Sequence, residues 1–204
     1  MQKIKNIIFD LGGIFLDIDF NKTEKAFEQL GLANFKNFFS QHTASPLFED
    51  LETGKIDPQA FYDTFRKESG TTFSNHEIET AWNALLGTFP PERIEWLSGI
   101  KKRYNVYLYS NTNIIHYNAF QQIYRNNFDN GSFDENFIKT YYSHDFGYRK
   151  PYPSSFLHLL NLENLTAGET LFIDDTAGNI EGAKQAGLQT ILLLAPRTLL
   201  DLAL

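Results

Sequence analysis

Four short apolar runs punctuate the chain, and three of them stop at a polar residue. IIF at 7–9 leads to Asp10, VYLY at 106–109 to Ser110, and LFI at 171–173 to Asp174. A fourth run, TILLL at 190–194, has the β-branched start and the length of a buried strand. Runs that are apolar on both faces suit a parallel sheet covered by helices. Between them lie helix signals. Residues 90–104 open on two prolines and place acids early and bases late, which predicts a helix whose charges complement its dipole. Residues 179–186, followed by Gly187, predict a short helix closed by glycine. The alternation of strand and helix predicts an α/β fold with a parallel, Rossmann-like sheet and helices on both faces.

Residues 20–88 break that alternation. Asp57 is placed to cap a helix, Pro58 to sit in its first turn and Gly70 to end it; Ser74 and Glu77 then have the spacing of a capping box. No stretch there reads as a strand. The expected organisation is therefore an α/β core made of 1–19 and 89–204, interrupted by a helical insertion at 20–88. No long Gly/Ser linker flanks the insertion, so it is expected to pack on the core. Phe35, Phe38, Phe39, Phe48, Phe61 and Tyr62 are expected to fill its interior, and Trp82 and Trp96 to serve packing.

Composition narrows the function. A length of 204 residues is enough to bury a substantial core. The net charge of −7, with no basic cluster, argues against a nucleic-acid partner. The absence of cysteine removes disulfides, thiolate metal sites and thiol catalysis, and suits a reducing cytoplasm. The opening MQKIKNIIFD is too poor in apolar residues for a signal-peptide core or a membrane span. The expectation is a soluble cytoplasmic monomer without a membrane or nucleic-acid partner.

In an open parallel sheet, residues just beyond the carboxyl ends of the strands converge although they are far apart in sequence. Asp10, Ser110 with Asn111, and the pair Asp174 and Asp175 all hold that position, and FGYRKPYP adds Lys150 before a proline. Each alone has a plainer reading, such as turn chemistry for Asp10 or helix capping for the acidic pair. Together they make chemical sense as a phosphate site. The acids suit a hard divalent cation such as Mg2+, lysine and hydroxyl suit phosphate oxygens, and one carboxylate could attack phosphorus. The histidines His42, His76, His116, His144 and His158 show no metal-ligand spacing and read as structural or solvent-facing; His144, close before Lys150, is the one that merits a test.

At these same residues the chain resembles the haloacid dehalogenase-like hydrolases, most of which are Mg2+-dependent phosphatases. The likeness rests on FDLGGIF at the start, SNT at 110–112, RKP at 149–151, and FIDD at 172–175 followed by GNIEGAKQAG. The insertion resembles that family's helical cap of the first type, and DLGGIFLDIDF is similar to small bacterial phosphatases acting on glucose 1-phosphate and related sugar phosphates. The resemblance implies that Asp10 is nucleophile and metal ligand, that Ser110 and the Asn111 backbone grip the phosphate, and that Lys150 offsets charge between Asp10 and substrate. It implies metal contacts from Asp174, from Asp175 directly or through water, and from the backbone carbonyl of residue 12. The implied substrate is a small phosphorylated metabolite.

Residue 12 departs from the family pattern. The family usually carries an acid there that also shuttles protons; here it is Gly12, which keeps the carbonyl and loses the carboxylate. General acid-base catalysis contributes roughly 10²–10⁴ in rate, so the loss should be least felt with a good leaving group such as an anomeric sugar oxygen. Asp17 and Asp19 are candidates to substitute. Two alternatives stay open: a non-catalytic phosphate-binding or regulatory protein, and, ranked lower, a 2-haloacid dehalogenase, which would have little use for Asp174 and Asp175 together.

Overall fold

The computed structural model describes residues 3–33, 35, 45–128 and 131–204. Among them, five parallel strands form one sheet in the order β3-β2-β1-β4-β5. Its centre is β1 (Asn6–Phe9), flanked by β2 (Asn105–Ser110) and β4 (Thr170–Asp174); β3 (Lys139–Tyr142) and β5 (Gln189–Leu192) are the edges. The alternation of side chains along β1 explains how both faces are buried. Ile7 and Phe9 pack with α5 (Pro91–Ile100) and α6 (Ile114–Asn127), while Ile8 packs with α8 (Pro153–Leu162) and α9 (Ala177–Gln185) on the other side.

The strand left out of the sequence reading is β3. Its residues KTYY begin with two polar positions, and as an edge strand it pairs only with β2, so it lacks the apolar run of a central strand. The opposite edge corrects a second expectation. The fourth apolar run is a half-buried edge from 189 to 192, not a buried strand, because β4 covers it on one side only. The helix at the two prolines ends at Ile100, so Lys101, Lys102 and Arg103 follow it rather than complement its last turn.

The described part of 20–88 holds four helices joined by turns: α1 (Phe20–Gln29), α2 (Pro46–Glu52), α3 (Pro58–Ser69) and α4 (Asn75–Asn83). Asp57 caps α3 through Ala60 N, Gly70 ends it in the left-handed conformation, and Ser74 with Glu77 forms the expected capping box of α4. These helices bury their own aromatic cluster, in which Phe35, Phe48, Phe61, Phe65 and Trp82 are nearly inaccessible and to which α6 contributes Ile115. Phe38, Phe39 and His42 lie outside the described residues. The two ends of the helical segment are tied together: Ile18 and Leu86 form an antiparallel bridge, with Asp17 N donating to the Thr88 carbonyl. Trp96 packs edge-on against Phe9. No helix among the described residues is long and apolar enough to cross a membrane.

A short α7 (Ser143–Phe146) follows β3 and carries His144. That histidine packs beside Tyr117 and Tyr142 and does not line the cavity described below, so the histidine singled out from the sequence is not at the site.

Candidate active site

Strand register brings the acids together. Phe9 pairs with Leu108 and Ile173, which sets Asp10 level with Asp174 and one residue short of Ser110. Asp10 N–H continues the ladder by donating to the Ile173 carbonyl at 2.9 Å. Beyond these strand ends lies a cavity of about 640 Å³, a size suited to a small organic ligand, lined by Asp10, Gly12, Ser110, Asn111, Lys150 and Asp175 among others.

Lys150 is the hub. Its side chain is 1% exposed, and Nζ lies 2.8 Å from Asp10 Oδ1 and 2.7 Å from Asp174 Oδ2. The Tyr109 and Phe172 rings lie 5.6 Å and 5.4 Å from the same ammonium, a cation–π setting that suits a charge removed from water. Its backbone is clamped by Asn111, whose Nδ2 donates to the Lys150 carbonyl and whose Oδ1 accepts from Lys150 N, both at 2.9 Å. The Asn111 side chain therefore fixes the lysine loop, a contact the sequence reading did not include.

Asp174 is fully buried and accepts four hydrogen bonds from three donors: Lys150 Nζ, Thr176 N at 2.7 Å, and Asn179 Nδ2 reaching both oxygens. Asp10, Asp174 and Asp175 each offer a carboxylate oxygen, and these lie within 4.8 Å of one another. One lysine cannot neutralise three carboxylates, and the site therefore carries surplus negative charge. Burial, the largest cause, pushes Asp10 up to about 8; Lys150 opposes the rise, and Asp174 and Asp175 add to it. Burial and Asp174 raise Asp175 as well. Burial alone would lower the Lys150 ammonium, but Asp10 and Asp174 outweigh it and hold it above the usual lysine value. The lysine thus stays charged and the electrostatic stress falls on the carboxylates.

Gly13 allows the acids to approach. It adopts φ +71°, and a Cβ there would lie 2.2 Å from Asp175 Oδ2. Gly12 lines the cavity, and a Cβ on it would meet Ile18 Cγ1 at 3.2 Å, so Ile18 crowds the space that a side chain at 12 would take. The proposed substitutes for the missing acid are elsewhere. Asp17 pairs with Arg93 at 3.0 Å and is half exposed, while Asp19 caps α1 through Asn21 N; neither lines the cavity.

Several cavity residues gave no signal in the linear pattern because the fold alone brings them in. Glu49 and Glu52 of α2 face Arg149, with Glu52 Oε2 at 3.1 Å from the guanidinium in a charge contact without aligned hydrogen bonding. Burial pushes Glu52 upward against the pull of Arg149. From α6, His116 also lines the cavity; its ring stacks on Trp82 at 4.6 Å and its Nδ1 lies 2.8 Å from Asn83 Oδ1. Burial pushes this histidine down to about 3. Because the unfolded chain takes up the proton that the folded ring refuses, stability is expected to fall as pH drops from 6.5 toward 3. Thermal melts of His116→Phe should show a shallower acid limb than those of the wild type.

A parallel α/β sheet whose strand ends bring an aspartate, a buried lysine and an acidic pair together beside a cavity has the parts that phosphoryl transfer requires. The sequence matches the haloacid dehalogenase-like hydrolases over residues 4–187, and the chain belongs to that family. It is 30% identical over 189 residues to a D-ribitol-5-phosphate phosphatase of Bacteroides thetaiotaomicron, covering 92% of this chain and 90% of that one. A sesquiterpene phosphatase of Aspergillus oryzae is 28% identical over 185 residues, 90% of this chain and 87% of the relative. A HAD family enzyme of Bacteroides thetaiotaomicron, solved with magnesium and inorganic phosphate, superposes with a TM-score of 0.86 at 31% identity, covering 96% of this chain and 97% of that one.

Proposed function

We propose that the protein is a Mg2+-dependent phosphatase that hydrolyses a small phosphorylated sugar or polyol through an aspartyl phosphate on Asp10. The observation that carries this is Lys150 buried between Asp10 and Asp174, with Asp175 beside them, next to a cavity that Asp10, Lys150 and Asp175 line. The names of the two phosphatase relatives and the magnesium and phosphate of the structural neighbour support it.

The donor set fits a hard cation. Three carboxylates in surplus over one lysine offer oxygen ligands, and Gly13 leaves Asp175 the room a side chain would fill. Asp10, the Gly12 carbonyl, Asp174 and Asp175 would hold Mg2+, which when bound supplies positive charge to the phosphoryl oxygens. Asp10 attacks phosphorus, the bond from phosphorus to the ester oxygen breaks, and the alkoxide leaves with a proton from solvent. Lys150 keeps Asp10 oriented and, with Ser110 and the Asn111 amide, takes charge on the transferring group. Water then attacks the acyl phosphate at phosphorus and regenerates Asp10. In this reading 20–88 acts as a cap over a core of 1–19 and 89–204, excluding water and contacting the leaving group.

The carboxylate missing at Gly12 bears on substrate choice. Glucose 1-phosphate leaves through an anomeric oxygen that needs less acid assistance than the primary alkoxide of ribitol 5-phosphate. Both are polyhydroxylated phosphate esters, and the wild type is expected to release phosphate from members of this class. Initial rates over sugar 1-phosphates, sugar 5- and 6-phosphates and pentitol phosphates test the proposal; turnover of haloacids with none of phosphate esters would reverse it.

Gly13→Ala gives a test of the acidic cradle. Its Cβ would displace Asp175 and its backbone would be strained, so turnover should fall by on the order of tenfold and the Mg2+ concentration for half-maximal rate should rise. Mg2+ titrations of both proteins decide it.

A further inference from the structure

We propose that His116 is a specificity-determining residue whose Nε2 accepts a hydrogen bond from a hydroxyl of the leaving group, selecting polyhydroxylated phosphate esters over apolar ones. The assignment rests on the phosphatase reading above and adds to it a residue that reads the organic part of the substrate.

Four observations carry it. First, the ring lines the cavity although the residue is almost entirely buried, so it meets whatever fills that space. Second, a hydrogen bond between Nδ1 and Asn83 Oδ1, 2.8 Å apart, requires the proton on Nδ1, because the amide oxygen only accepts, and that tautomer leaves Nε2 with a lone pair. Burial holds the ring neutral, so the lone pair persists. Third, Nε2 has no hydrogen-bond partner among the described residues, yet it is not sealed away as a buried orphan atom. An acceptor in that state is one that a ligand can satisfy. Fourth, the ring is held by the stack on Trp82 and by Asn83, while the backbone that carries it is fixed by its amide donating to Asn113 Oδ1 at the start of α6. Little conformational freedom is then lost on binding.

Position fits the role. His116 is the third residue of α6, about 3 Å along the helix axis from its first, and it lines the same cavity as Ser110 and Asn111, which are placed to take the phosphate. The rest of the cavity around it includes the apolar side chains Ile18, Leu85, Leu86 and Phe120. Against those apolar side chains a substrate lacking the hydroxyl leaves Nε2 unpaired. A site built to bond a hydroxyl rejects analogues without it for that reason.

The test compares kcat/KM for a polyol phosphate, such as ribitol 5-phosphate, with that for phenyl phosphate and a prenyl phosphate, in the wild type and in His116→Phe and His116→Asn. Phenylalanine keeps the stack on Trp82 and removes the acceptor. The ratio of polyol to apolar ester is expected to fall about tenfold in His116→Phe, mainly through KM, and to recover in part in His116→Asn, whose amide oxygen can accept. An unchanged ratio in a folded His116→Phe would overturn the assignment and leave the ring a packing element. Should that variant not fold, the wild type still decides the matter: kcat/KM across deoxy analogues must drop at one hydroxyl, and a flat profile overturns the proposal. A flat profile with Mg2+-dependent release from phenyl phosphate removes only the role of His116, whereas no release from any ester removes the phosphatase reading with it.

Discussion

Asp10→Asn is expected to reduce phosphate release by at least ~10³-fold while leaving the fold intact, because an amide cannot form the acyl phosphate. The substitution is nearly isosteric, and Lys150 keeps its contact with Asp174. The stability consequence has a definite sign. Wild-type Asp10 is pushed up to about 8 from 3.8, so as pH rises through that interval the unfolded chain gives up this proton before the folded one does. Without metal, the wild type therefore loses stability across that window, and Asp10→Asn should lose less. Melting temperatures in chelator and phosphate-release rates with Mg2+ check both halves. A variant with near wild-type turnover would exclude Asp10 as nucleophile.

Lys150→Met should be the most disruptive single change at the site. It leaves Asp10 and Asp174 facing one another with no cation between them, at positions 8% and 0% exposed. Breaking a buried ion pair from one side costs about 3–5 kcal/mol, and loss of a preorganised charge at the transferring group costs about 10²–10³ in rate. Methionine occupies similar volume, which confines the effect to charge. Added Mg2+ should recover part of the stability, since a ligand that binds only the folded chain raises its melting point. Equal melting temperatures for variant and wild type in chelator would show that the triad is not under the electrostatic stress described above.

Much of this was legible in the sequence. The strands that carry Asp10, Ser110 and Asp174 are central ones, buried on both faces, and their apolar runs announced them. Helix ends marked by Asp57, Gly70, Ser74 and Glu77 were equally plain, because capping is local chemistry within a few residues. Where burial is one-sided the pattern weakens: β3 passed unread as KTYY, and β5 proved an edge.

The site divides along the same line. Asp10, Ser110, Lys150, Asp174 and Asp175 lie at strand ends or in a proline-marked loop, so position alone grouped them, and the structure brings four of them to one cavity, with Asp174 buried behind Lys150 and within reach of Asp10 and Asp175. The far wall could not be read this way. His116 reaches the cavity because α6 packs against α4, and Glu52 because α2 faces Arg149; both are tertiary contacts without a spacing rule. Asp17 and Asp19 show the converse, being close to Asp10 in sequence yet committed to Arg93 and to the α1 cap.

The central claim, that Asp10 and a divalent cation together hydrolyse a phosphate ester, is tested most directly by phosphate release from a sugar or polyol phosphate measured in Mg2+, then in chelator, then with Mg2+ restored. The account predicts release that stops on chelation, returns with the metal, and is lost at every stage in Asp10→Asn. Release that continues undiminished in chelator, or that survives in Asp10→Asn, would contradict it.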